Sequence, residues 1–231
     1  MGESNLEILT YETTPLGVLC LRRRELLSAP GTVVTEITLD HELLMSSYYT
    51  ASERALAARA IEMHAGDGLE VLIGGLGLGY TAREVLRSGR VGRVEVVELL
   101  GDVIYWLDRG LLPLADELKA DPRLSVVEGD LYGRLAGPAD RKCDLILVDV
   151  DHSPDERLGD GSDSFYTVEG LELAKKHLAP GGVLAVWSYA ESSPFADALG
   201  KAFGEVRVEP VTSRIGIIDE ERTDWLFLAR G

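Results

Sequence analysis

Val71-Leu72-Ile73-Gly74-Gly75-Leu76-Gly77-Leu78-Gly79-Tyr80-Thr81 decides how this chain is read. An apolar run enters a turn with glycines at 74, 75, 77 and 79, and a helix-forming segment follows from Thr81. Glycines there allow positive φ and let a ligand approach backbone without meeting a Cβ. A helix starting directly after the turn aims free N–H groups at whatever occupies it. Such a strand–glycine loop–helix unit opens a nucleotide-binding α/β domain.

Downstream, strand and helix signals alternate. Residues 94–98, 124–128, 143–149 and 183–187 read as strands; 81–87, 102–107 and 165–178 read as helices. Ser193-Pro194 supplies an N-cap and first-turn proline for a helix reaching Phe203. Alternation of this kind implies an α/β fold with a doubly wound, mostly parallel sheet. The runs at 206–211, 215–218 and 225–229 lack helix-length spacers, so an antiparallel C-terminal strand pair is expected.

Upstream, β-branched runs at 6–9, 16–21 and 32–39 predict a small antiparallel unit, with Arg22-Arg23-Arg24 at a solvated strand end. Thr50-Ala51-Ser52-Glu53 fits a capping box for the next helix. The division expected is 1–49 for the N-terminal β unit and 50–231 for the nucleotide-binding domain.

The chain has 231 residues, 45% of them hydrophobic, enough for a substantial core. No apolar run approaches the roughly 18 residues of a membrane span, and the start shows no secretory pattern. Cys20 and Cys143 sit in apolar strands and read as small buried hydrophobes in a reducing cytosol, so a cytoplasmic location is expected. A net charge of −16 argues against nucleic acid as partner, because that binding rests on neutralising phosphates. The same charge suits a cationic substrate. No Cys/His metal spacing appears, and His41, His64 and His177 lack a catalytic partner pattern.

Ligands of open α/β sheets bind beyond the carboxyl ends of the strands. That rule selects Gly75, Gly77 and Gly79, then Glu98, then Asp130, then Asp149. Glu98 lies about 20 residues past the glycines, where a carboxylate can accept both hydroxyls of a ribose. Asp130 can accept from an adenine amino group. Asp149 and Asp151 open an acid-rich stretch suited to binding ammonium groups and accepting a proton. The glycine spacing itself fits both a dinucleotide and a sulfonium nucleoside.

These residues resemble the spermidine synthase (aminopropyltransferase) family over residues 17–203. Gly75-Leu76-Gly77-Leu78-Gly79-Tyr80-Thr81-Ala82-Arg83-Glu84-Val85-Leu86 is similar to the family's glycine motif, Val97-Glu98 to its ribose-binding pair, and Gly129-Asp130 to its adenine-side pair. Asp149 falls where the family's proposed general base stands. Phe165-Tyr166 and Glu191-Ser192-Ser193-Pro194-Phe195 resemble later motifs, and Tyr48, Tyr49 and Glu53 loosely match a Tyr-His-Glu. The resemblance implies a Rossmann-like, methyltransferase-type fold and a donor, decarboxylated S-adenosylmethionine or S-adenosylmethionine. It also implies a small-molecule amine acceptor touched by Tyr49, Tyr166 and Glu191, no metal, and a homodimer. Leu78 replaces the family aspartate that contacts the aminopropyl end, and Asp151 is shifted from the family's second loop aspartate. Methyl transfer, a non-catalytic nucleoside or polyamine binder, and, more distantly, an NAD-binding oxidoreductase stay open.

Overall fold

A computed structural model describes residues 5–150, 154, 164–215 and 220–231. Leu6–Thr14 (β1), Gly17–Glu25 (β2), Val33–Leu39 (β3) and Glu42–Ser46 (β4) form an antiparallel sheet in sequence order. Strand β4 has no counterpart among the sequence expectations. Its hairpin turns on Asp40 and His41, both at positive φ (47° and 73°), where a glycine would have signalled the turn.

The arginine run does not end a strand in water. Arg22 and Arg24 lie inside β2, and side-chain alternation puts both on the face of Glu36. Glu36 is 1% exposed and takes Arg22 Nε at 2.9 Å and Arg24 Nε at 2.8 Å. Paired this way, the carboxylate avoids the penalty of an isolated buried charge.

Ala51–Met63 (α1) leads into the second sheet. Its strands are Leu69–Gly74 (β5), Val91–Glu98 (β6), Leu124–Glu128 (β7), Cys143–Val148 (β8), Leu178–Ser188 (β9), Glu205–Ile215 (β10) and Glu220–Arg230 (β11). Their order is β10-β11-β9-β8-β5-β6-β7. The five from β7 to β9 are parallel; β11 pairs antiparallel with both β9 and β10. The mostly parallel sheet and antiparallel C-terminal pair are as expected from sequence.

The chain winds outward from β5 to β7, then returns to place β8 on the other side of β5. At that reversal a crevice opens beyond the carboxyl ends of β5 and β8. Both faces of the sheet are covered, which is why β8 is apolar from Leu145 to Val148. Leu145 and Leu147 join a core with α1 and Tyr80–Arg87 (α2), and Ile146 and Val148 join one with Val168–Lys175 (α6) and Ser193–Ala202 (α7). Three further helices, Gly101–Asp108 (α3), Ala115–Ala120 (α4) and Leu131–Ala136 (α5), complete the layers. Cys20 and Cys143 are buried and free. No helix among the described residues is long and apolar enough to cross a membrane.

Candidate active site

The crevice widens into a cavity of about 400 Å³. Backbone hydrogen bonds hold its floor: Gly75 N–H donates to Val97, Asp149 N–H to Gly74 and Gly129 N–H to Glu98, each at 2.9 Å. Gly75 and Gly77 line the cavity with φ of 89° and 49°. A Cβ on Gly75 would strike the Asp149 carbonyl, and one on Gly77 the Met45 thioether. Met45 reaches in from β4, and its sulfur accepts the Leu78 N–H at 3.1 Å.

Glu98 lines the next part of the cavity and is 7% exposed. Its two oxygens accept separate backbone N–H groups, Leu76 at 2.7 Å and Leu100 at 2.9 Å. Each oxygen keeps a lone pair for a further donor. Asp130 caps α5, accepting the Tyr132 N–H at 2.9 Å, and also lines the cavity. Leu99, Leu100, Val103 and Leu131 supply apolar wall on this side.

The opposite part is acidic. Asp149 follows β8, Glu53 sits in the first turn of α1, and Asp224 lies on β11; all three line the cavity. The Thr81 hydroxyl, at the start of α2, donates to Asp149 Oδ2. Burial pushes Asp149 up to about 6; the Thr81 bond pulls it down and the Asp224 charge pushes it up. Burial, with the Asp149 charge next, pushes Glu53 up to about 8, and the Ser52 hydroxyl at 3.1 Å partly offsets this. Asp224 is 5% exposed and takes Arg222 Nε at 3.0 Å. Tyr49, Tyr166 and Tyr132 complete this wall, the hydroxyls of Tyr132 and Tyr166 lying 2.9 Å apart. Burial raises both phenols, so they stay protonated.

The spermine/spermidine synthase domain matches residues 50–200. This chain belongs to the spermine/spermidine synthase family. Curated relatives include polyamine aminopropyltransferase 2 of Streptomyces coelicolor, 36% identical over 123 residues, covering 52% of this chain and 22% of that protein. Putrescine N-methyltransferase 3 of Nicotiana tabacum is 32% identical over 123 residues, 53% of this chain and 30% of that protein. A polyamine aminopropyltransferase of Prochlorococcus marinus is 31% identical over 147 residues, 61% of this chain and 44% of that protein. The chain thus spans less than half the length of these relatives. A spermidine synthase solved with the transition-state analogue AdoDATO superposes with a TM-score of 0.76 at 20% identity, over 96% of this chain and 73% of that one. Spermidine synthase from Thermotoga maritima gives 0.73 at 19%, over 96% and 72%. These two likenesses speak for the fold.

Within this family member, the cavity collects Gly75, Gly77, Glu98, Asp130, Asp149, Tyr49 and Tyr166 from the sequence-derived set. Gly79 is not among its walls: it caps α2 in a left-handed conformation and packs on Leu118. Glu191 is exposed outside the cavity. Ser192, not Ser193, caps α7 by accepting the Phe195 N–H at 3.3 Å, which leaves Glu191 before the helix on the solvent side. Asp151 lies outside the described residues. Leu78 is fully buried in the core and does not line the cavity.

The capping box at 50–53 does not form, since the Thr50 side chain makes no cap bond and Glu53 turns to the cavity. Asp224, Arg222, Tyr132 and Met45 were not legible as site residues. The one available signal was an acid directly ahead of the apolar run Trp225-Leu226-Phe227-Leu228.

Proposed function

We propose that this protein is a transferase that binds an adenosyl sulfonium donor and passes an alkyl group from its sulfur to an amine. The observation that carries this reading is one cavity with two unlike ends. Glu98 and Asp130 stand beside a glycine loop at one end, and three carboxylates converge at the other. Glu98 suits the ribose diol, Asp130 the exocyclic amine of adenine, and the apolar wall its ring. Gly75 and Gly77 line the cavity with backbone alone, where the sulfur-bearing chain can lie against them. Asp149 receives the acceptor's ammonium, and a carboxylate of this cluster takes a proton so that the nitrogen lone pair is free to attack. The carbon–sulfur bond then breaks with its electrons on sulfur, releasing a neutral thioether. Because the sulfonium leaves readily, the protein's share is proximity and charge placement.

The family membership and the names of the curated relatives support amine alkylation, with aminopropyl transfer from decarboxylated S-adenosylmethionine as the first reading. A second reading, methyl transfer from S-adenosylmethionine, is favoured by Leu78, whose buried side chain offers no carboxylate to the far end of an aminopropyl group. Calorimetry with S-adenosylmethionine, its decarboxylated form, methylthioadenosine and NAD separates these. Preference for the decarboxylated donor, with turnover of putrescine, supports the first; preference for the carboxylated donor supports the second. Binding of NAD alone would remove both.

A further inference from the structure

Glu53 has a role that neither its helix position nor the mechanism above absorbs. As the third residue of α1 it would ordinarily turn back to the helix N-terminus, yet it lines the cavity and is 9% exposed. The groups acting on it come from every neighbouring element. Ser52 is its own helix neighbour, Tyr80 comes from α2, Asp149 follows β8, and Asp224 with its bound Arg222 comes from β11. Among the described residues lining the cavity, Arg222 is the one cation, and it is engaged by Asp224. Glu53 and Asp149 therefore face each other's charge without a resident counter-ion of their own. An alkylammonium is the ion whose charge and N–H donors complete such a cluster.

We propose that Glu53, together with Asp149, contacts the ammonium group of the acceptor and takes up its proton. This rests on the amine-alkylation reading above. The Thr81 hydroxyl donates to Asp149 and favours its ionised form, and that charge favours the protonated form of Glu53, so in the empty site the proton rests on Glu53. A docking ammonium brings a positive charge beside it, and Glu53 releases that proton to solvent. In the chemical step an N–H bond of the ammonium breaks, its electron pair stays on nitrogen, and the proton passes to the Glu53 carboxylate. The freed pair attacks the carbon bonded to sulfur, and the nitrogen of the product carries the positive charge that left the sulfonium. Asp149, held by Thr81, orients the ammonium while this occurs.

The test is calorimetry at pH 7 with methylthioadenosine bound and putrescine or butylamine as probe, repeated in buffers of different ionisation enthalpy. The wild type should release about one proton per amine bound, since pH 7 lies below the Glu53 value. Glu53→Gln keeps the shape and the Ser52 bond; it should release almost none and bind the amine about tenfold more weakly or worse. Methylthioadenosine affinity should stay within a factor of about two, which shows that the variant is folded. Turnover should fall roughly 10²-fold or more, mainly in kcat. Equal proton release by wild type and Glu53→Gln overturns the assignment and leaves the amine reading standing. Failure of the wild type to bind either amine removes both.

Discussion

The carboxylate of Glu98 accepts the backbone N–H of Leu76 at 2.7 Å, tying the end of β6 to the glycine loop after β5. The bond fixes the loop and the acid as one unit. Glu98→Gln replaces one of the two accepting oxygens with an NH₂, so Leu76 or Leu100 loses its acceptor and the ribose loses half of its partner. Methylthioadenosine affinity should fall about tenfold to a hundredfold by calorimetry. An unchanged affinity would place the ribose elsewhere.

The Thr81 hydroxyl on Asp149 lowers a carboxyl that burial has raised. Removing it in Thr81→Ala should raise the Asp149 value further. Turnover that needs ionised Asp149 grows as pH rises through about 6, so this limb of the pH–rate profile should move to higher pH in the variant. Asp149→Asn should lower turnover roughly 10²-fold or more while nucleoside affinity changes little.

Stability of the ligand-free protein should depend on the same carboxyls. Glu53 moves from an ordinary 4.5 to about 8 on folding, and Asp149 also moves up. The folded chain therefore keeps protons that the unfolded chain gives up, and stability falls as pH rises across that window. Glu53→Gln removes the larger contribution. It should be the more stable form at pH 8, by on the order of 2 kcal/mol, and close to wild type at pH 4.5. Urea denaturation at the two pH values measures this, and parallel curves would mean that Glu53 is solvated.

Leu78, set by the resemblance at the family's aspartate, is fully buried among core residues. Leu78→Asp should not restore a donor-reading carboxylate. It should place an unpaired charge in the core and destabilise the protein by about 3 kcal/mol or more. A thermal midpoint equal to wild type, with tighter binding of the decarboxylated donor, would contradict this placement.

What the residues decided by themselves was the frame. The glycine loop, the apolar strands and their helix spacers dictate a parallel sheet. In such a sheet the strand ends share one edge, so Gly75, Gly77, Glu98, Asp130 and Asp149 could be gathered from sequence. Tertiary structure decided which other side chains reach that edge. Glu53 enters because of how α1 is turned against the sheet, Asp224 because β11 inserts beside β9, and Met45 because a glycine-free hairpin brings β4 over the loop. Packing also left Gly79 and Glu191 out of the cavity wall and buried Glu36 beneath Arg22 and Arg24. Local propensity and periodicity act over a few residues and can be read in order. The facing of a helix and the insertion of a strand depend on contacts across the whole chain, and they gave this cavity its acidic end.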